Sequence, residues 1–169
     1  RLNHAGYEVT VFEKDEKPGG LLRFGIPNFK LGKNIIDRRI RLMEDEGVHF
    51  QVNMAVGKDL PIEQLLDKYD AVCLATGAET PRDLPIEGRN LKGIHFALEL
   101  LGQQNRLLEG IAIDETQRID CAGKRVLVIG GGDTGSDCVG TANRQHAACV
   151  TQIEILPKPP VGQNPDTPW

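Results

Sequence analysis

The hydrophobic positions of this chain fall into two blocks, separated by a polar stretch rich in proline and glycine. In the first block, Glu8 to Glu13 is rich in β-formers and predicts a strand. Gly19, Gly20 and Gly25 then punctuate a loop. From Asn34 to Glu46, Ile35, Ile36, Ile40 and Met43 recur at helical spacing, and Gly47 supplies the stop. Val48 to Val52 predicts a short strand, and Pro61 to Lys68 a short helix with Pro61 in its first turn. Asp70 to Ala75 is a continuous apolar run of the kind found in strands buried on both faces.

The pattern then changes. Thr80 to Gly93 contains Pro81, Pro85, Gly88 and Gly93, which predicts a connection between domains. The expected division is therefore 1–80, a connection over 81–93, and 94–169. The second block opens with an amphipathic helix from His95 to Leu107, followed by a polar stretch to Gly123. A strand over Arg125 to Ile129 then leads through a glycine turn into a helix over Thr134 to Gln145, and a second strand runs from Cys149 to Leu156. There is no repeat of solenoid type. The blocks do echo each other: each has a strand that follows a helix and ends at a carboxylate, Glu13 in one and Glu154 in the other.

Composition narrows the class without naming it. A chain of 169 residues with 40% hydrophobic and 26% charged residues has room for one large domain or two small ones. Aromatics are 5%, so a core must rest on Val, Ile, Leu and Ala. Twenty Lys+Arg against 24 Asp+Glu give a net charge of -4, with no basic block to attract nucleic acid or an anionic membrane. No apolar run reaches the roughly 18 residues of a membrane span. Cys73, Cys121, Cys138 and Cys149 form no CxxC pair and read as reduced, mostly buried small residues of a cytoplasmic protein. No metal site is expected. The chain opens on Arg1 to Tyr7, which reads as a helix end capped by Gly6, and closes on a proline-rich run from Pro157 to Trp169. Both ends read as interior to something longer.

The most specific local pattern is Val126-Leu127-Val128-Ile129-Gly130-Gly131-Gly132-Asp133-Thr134-Gly135. Gly130, Gly132 and Gly135 satisfy G-x-G-x-x-G. The first glycine allows the tight turn out of a strand, the second a close approach of backbone to pyrophosphate, and the third close helix–strand contact. The following helix, with Asp133 and Thr134 in its first turn, aims free N–H groups and the positive end of its dipole at phosphate. Glu154 lies 19 residues after Gly135, where a carboxylate can accept hydrogen bonds from an adenosine ribose. Glu13, at the end of its own strand, matches the second half of another such unit, and also suits any strand-end carboxylate.

At Pro18-Gly19-Gly20-Leu21-Leu22-Arg23-Phe24-Gly25-Ile26-Pro27-Asn28-Phe29-Lys30-Leu31 the sequence resembles the small subunit of glutamate synthase. Related NAD(P)H–flavin modules, among them the N-terminal half of dihydropyrimidine dehydrogenase, share the pattern. The resemblance continues through Val56-Gly57-Lys58-Asp59-Leu60, Ala75-Thr76-Gly77-Ala78, and Gly130 to Thr134 with Asp137-Cys138. Gln152 to Pro157 favours the glutamate synthase branch. It implies an α/β fold of two dinucleotide-binding domains, FAD- and NAD(P)-linked and Rossmann-like, present here in part. Residues 1–80 would belong to the FAD domain and 94–169 to the NAD(P) domain inserted in it.

The resemblance also implies roles. Glu13 would take the FAD ribose hydroxyls, and Gly20 and Leu21 would bring backbone close to the flavin. Lys30 would add positive charge near the cofactor, and Val56 would offer backbone hydrogen bonds to adenine. Ala75, Thr76 and Gly77 would end a strand beside FAD. Lys30 equally suits a solvated surface, and Val56 plain core. Gly130, Gly131, Gly132, Asp133, Thr134, Gly135 and Glu154 would serve the nicotinamide cofactor. The implied reaction is hydride transfer from NAD(P)H to FAD, with electrons passed to a large subunit that makes L-glutamate from L-glutamine and 2-oxoglutarate. No catalytic nucleophile or base is expected, since the cofactors carry the chemistry. The chain departs from the family pattern: it lacks the cysteine-rich segment for iron–sulfur clusters, the first glycine loop for FAD, and the rest of the nicotinamide domain. Residues 1–169 alone are therefore expected to be inactive. The alternatives are a dihydropyrimidine dehydrogenase-like reductase module and a non-enzymatic nucleotide-binding or subunit-docking module.

Overall fold

A computed structural model of the chain describes residues 1–78, 80–157 and 162. The chain divides into two compact units, Arg1–Phe96 and Ala97–Trp169.

The first unit opens on a single 3-10 turn, Asn3–Ala5. Gly6 closes it at φ 92°, its N–H donating to the Asn3 carbonyl, as the C-cap glycine requires. Strand β1 (Val9–Phe12) follows, then helices α1 (Gly20–Phe24) and α2 (Lys33–Asp45), strand β2 (Val48–Gln51) and helix α3 (Ile62–Lys68). β1 and β2 pair in parallel, Val9 opposite Val48 and Phe12 opposite Gln51. A parallel pair needs a long crossover, and the two helices between the strands provide it. On α2 the inward face is Ile36, Ile40 and Met43, at spacings of four and three; Ile35, also expected on that face, is 52% exposed. Phe24, Ile36 and Leu65 are the buried hydrophobic side chains here, and they share the interior with Arg23 and Lys33.

Asp70 to Ala75 does not form the expected strand. The segment joins no ladder and is exposed throughout, with Leu74 at 78%. An apolar run becomes a buried strand only when a neighbour takes its hydrogen bonds, and β1–β2 is a sheet of two strands. The glycine loop was also more regular than expected, since residues 20–24 within it are helical.

The second unit contains helix α4 (Ala97–Leu108), strand β3 (Arg125–Ile129), helix α5 (Asp133–Arg144) and strand β4 (Cys149–Ile153). β3 and β4 are parallel, with Arg125 opposite Cys149 and Ile129 opposite Ile153. Leu100, Leu101, Cys121, Val128, Cys138 and Ala142 form one apolar core, with Ala142 fully buried. Burying a leucine such as Leu101 contributes about 1.5–3 kcal/mol. The polar stretch before β3 is tied down by amides. Gln103 donates to the Ile119 carbonyl and accepts from its N–H, both at 2.8 Å, and Gln145 accepts from the N–H of Cys121.

Two expectations shift here. β4 ends at Ile153 rather than Leu156, because the Glu154 carboxylate takes the N–H groups of Ile155 and Leu156 and turns the chain. Cys121 and Cys138 are buried as expected, whereas Cys73 and Cys149 are exposed. Cys73 follows the fate of its segment, and Cys149 is the first residue of β4, a strand exposed at every position but Val150. Of the run from Pro157 to Trp169, only Pro157 and Gly162 are among the described residues. Among the described residues no helix is long and apolar enough to cross a membrane.

Candidate functional site

The β3–α5 turn is shaped by what its glycines leave out. Gly130 has φ 118°, in the left-handed region, so it can make the sharp exit from β3. A Cβ on Gly135 would lie 2.2 Å from the Gly130 carbonyl oxygen, so only glycine lets α5 sit against the strand end. A Cβ on Gly132 would meet nothing within 4 Å, which leaves open space in front of the helix. Gly132 is the N-cap of α5, and no side chain caps it. The first-turn N–H groups of a helix carry partial positive charge, and leaving them uncapped by a side chain suits an anionic ligand. Asp133 and Thr134 stand exposed in that first turn. The geometry fits a pyrophosphate: space, a glycine cradle and helix N–H groups converge at one point.

Glu154 completes the arrangement. Its carboxylate accepts from Ile155 N–H at 2.7 Å and Leu156 N–H at 3.2 Å. A Cβ on Gly131 would fall 2.1 Å from Glu154 Oε2, so the middle glycine makes room for this carboxylate. Hydrogen bonds from Leu156, then Ile155, with a smaller one from Gly131, hold the Glu154 carboxyl below its ordinary value of 4.5. One residue escaped the motif reading. Gln152 donates from Nε2 to the Gly130 carbonyl at 2.7 Å and so braces the turn from β4. Its place two residues before Glu154, on the strand paired with β3, was the available signal.

The expected residues of the first unit are less concentrated. Glu13 directly follows β1, and its Oε1 accepts the Asp15 N–H at 3.1 Å. Its carbonyl accepts the Met54 N–H at 2.9 Å, which draws the chain after β2 back toward the end of β1. Val56 lies two residues on, in a tight loop where the Ala55 N–H donates to Asp59 Oδ2 and the Gly57 N–H to the Leu60 carbonyl. At 42% exposure, Val56 is not core. Gly20 begins α1 at φ 51° with nothing within 4 Å of an added Cβ, and Leu21 beside it is 51% exposed. Lys30 is an exposed side chain in a turn closed by its own N–H to the Pro27 carbonyl. Ala75, Thr76 and Gly77 lie in the exposed segment outside the ladder, so the strand end expected there is absent. Gly77 does adopt φ 69°.

Comparison with known proteins agrees with the geometry. A family model for pyridine nucleotide-disulphide oxidoreductases matches residues 1–165. The chain is 48% identical to the glutamate synthase [NADPH] small chain of Mycobacterium tuberculosis, covering all of this chain and 35% of that protein. It is 47% identical to the corresponding small chain of Bacillus subtilis, covering 34% of it. It is also 48% identical to glutamate synthase [NADH] of Schizosaccharomyces pombe, of which it covers 8%. The chain thus spans about a third of the bacterial small chains it matches. Among solved structures, FprA of Mycobacterium tuberculosis in complex with NADPH superposes with TM-score 0.68 at 24% identity, over 89% of this chain and 38% of that one. That likeness speaks for the fold. The α/β dinucleotide-binding fold and the resemblance to glutamate synthase small chains, both read from the sequence, are borne out.

Proposed function

The chain belongs to the pyridine nucleotide-disulphide oxidoreductase family, and from that premise we propose that it is part of the electron-input module of a glutamate synthase. In this reading electrons enter from NAD(P)H, pass to FAD, and go on to a large subunit that forms L-glutamate from L-glutamine and 2-oxoglutarate. When bound, the cofactors supply the redox chemistry, a hydride leaving the reduced nicotinamide for the flavin. The protein is cytoplasmic, and its partner is the glutamate synthase large subunit rather than nucleic acid or membrane.

The observation that carries the proposal is the β3–α5–β4 unit. Gly130, Gly132 and the first turn of α5, with Asp133 and Thr134, hold the dinucleotide pyrophosphate. Gly135 keeps the helix against the strand, and Gly131 makes room for Glu154. Residues 94–169 are the nicotinamide part, 81–93 the connection, and 1–80 the flavin part. In the flavin part Glu13 takes ribose hydroxyls, and Gly20 and Leu21 present backbone to the flavin. Val56 offers backbone to adenine, Lys30 charge, and Ala75 to Gly77 a loop beside the cofactor.

The choice of nicotinamide rests on Glu154. Its carboxylate accepts hydrogen bonds from a free ribose 2′-hydroxyl, whereas a 2′-phosphate would bring like charge against it. The adjoining residues Ile155, Leu156 and Pro157 bring no cation, and Lys158, the nearest base in sequence, lies outside the described residues. Relatives of nearly equal identity carry both names, NADH in fission yeast and NADPH in Mycobacterium tuberculosis, and the carboxylate is what supports the reading of NADH. The test is kcat/KM for both cofactors in the intact polypeptide and in Glu154→Ala. We expect the wild type to prefer NADH and the substitution to erode that preference by about tenfold, the worth of one hydrogen bond to a charged group. A strong wild-type preference for NADPH, or a ratio untouched by the substitution, removes Glu154 from this role.

A further inference from the structure

The turn that carries Gly20 and Leu21 rests on two buried cations. Arg23 is 1% exposed and Lys33 is 7% exposed. Arg23 Nε donates to the Pro18 carbonyl at 2.7 Å, and Nη2 donates to Asp37 Oδ1 on α2 at 2.6 Å. Lys33, the first residue of α2, donates from Nζ to the Leu22 carbonyl at 3.0 Å and to the Ile26 carbonyl at 2.5 Å. The anchored carbonyls therefore belong to residues 18, 22 and 26, at the start, middle and end of the turn. A helix of five residues has no stability of its own, so these bonds decide its shape. Gly19 is part of the same fit, since a Cβ there would come within 3.1 Å of Arg23 Cβ and 3.2 Å of Ile36.

The opposite side of the turn is bare. Gly20 faces open space, and Leu21 and Leu22 are 51% and 54% exposed. Polar bonds thus hold the inner side, while the outer side offers a glycine and two leucines, a surface suited to a flat, largely apolar ring.

We propose that Arg23 and Lys33 are positioning residues that hold this turn in the conformation its flavin-facing side requires; the inference rests on the reading that Gly20 and Leu21 lie against FAD. Both cations bond to the turn's carbonyls, and Arg23 also to Asp37. Each acts through backbone carbonyls, and a site held loosely by its supporting residues loses affinity even when every contact residue is present. Arg23 is not exchangeable with lysine, because its separate nitrogens reach Pro18 and Asp37 at once.

The test uses the intact polypeptide loaded with FAD, and compares Arg23→Lys, Lys33→Met and the exposed control Arg41→Met. Fluorescence titration gives FAD affinity, the visible absorption bands report the flavin environment, and a redox titration gives the midpoint potential. Thermal unfolding is followed alongside. Arg23→Lys and Lys33→Met are expected to weaken FAD about tenfold or more, with altered flavin bands and a shifted potential, while Arg41→Met matches the wild type. Asp37→Asn loosens the same anchor from its solvent side and keeps the test open should Lys33→Met not fold; it is expected to act in the same direction, more weakly. If the wild type binds FAD and Arg23→Lys and Asp37→Asn leave affinity, bands and potential unchanged, the cations serve folding alone and the proposal is overturned. A wild type that takes up no FAD overturns the flavin reading itself, and the proposal with it.

Discussion

Two glycine-bearing turns of this chain are held in different ways. The turn between β3 and α5 is fixed chiefly by exclusion, because Gly135 lies so near the Gly130 carbonyl that any side chain would collide with it, and Gln152 adds one brace to that carbonyl. Behind it stands an apolar core that includes Val128 and Cys138. The turn that contains α1 is fixed by attraction, through the hydrogen bonds of Arg23 and Lys33. On the proposed function, the difference follows from what each turn must leave available. The β3–α5 turn then leaves the first-turn N–H groups of α5 uncapped by any side chain for pyrophosphate, and packing supplies most of its shape. A turn meant to present an apolar side can spend its carbonyls on buried cations.

The sharpest break of this comparison is a pair of glycine substitutions that the G-x-G-x-x-G motif by itself treats alike. Gly135→Ala should destabilise the second unit by about 3 kcal/mol, near the upper range for overpacking, and abolish dinucleotide binding, since the obstacle is backbone. Gly132→Ala, where the added Cβ meets nothing, should change stability by less than about 1 kcal/mol while still weakening dinucleotide binding. Denaturant unfolding together with cofactor titration separates the two. Equal losses of stability would mean that the turn is not held by exclusion.

A smaller effect concerns the thiols. Burial, then the neighbouring Asp137 and Cys121, pushes the Cys138 thiol up to about 11, and burial raises that of Cys121 as well. Native alkylation near pH 8, where an ordinary thiol begins to ionise, should label Cys73 and Cys149 quickly. Cys121 and Cys138 should react only on unfolding. Peptide mass mapping reads the order directly, and rapid labelling of Cys138 would show the core to be looser than its packing implies.

The smallest expected effect is a pH dependence that stays away. Backbone N–H groups lower the Glu154 pKa from 4.5, so the carboxylate remains charged as the pH falls to that value. Any contribution it makes to NADH preference is therefore present above this range and is lost only as the pH falls through the lowered pKa. The NADH to NADPH ratio should be flat across the neutral region. A ratio that titrates near neutrality would assign the discrimination to another group.

The same contrast explains what the sequence could convey. The β3–α5–β4 unit was legible because glycine, strand and helix signals are contiguous, and each has a local physical meaning. The first unit was read less well because its order depends on partners distant in the chain. Asp70 to Ala75 has the composition of a buried strand, but no ladder receives it. Ile35 and Ile36 look alike to periodicity, and packing against the rest of the unit buries only Ile36. Lys30 drew attention as the lysine of the recognisable motif, whereas Lys33, three residues later, is the one that enters the interior. Patterns of hydrophobicity treat lysine and arginine as surface residues, so a turn anchored by buried cations leaves no trace in them.

On the proposed function, these residues serve a reductase that passes electrons from a nicotinamide cofactor to FAD. The most direct test of that reading is anaerobic mixing of the purified intact polypeptide with NADH in a stopped-flow spectrophotometer. The flavin's visible bands should bleach within the mixing experiment, faster with NADH than with NADPH, and Gly135→Ala should abolish the bleaching. A polypeptide that carries no flavin, or a flavin whose bands persist in excess NADH, would contradict the account.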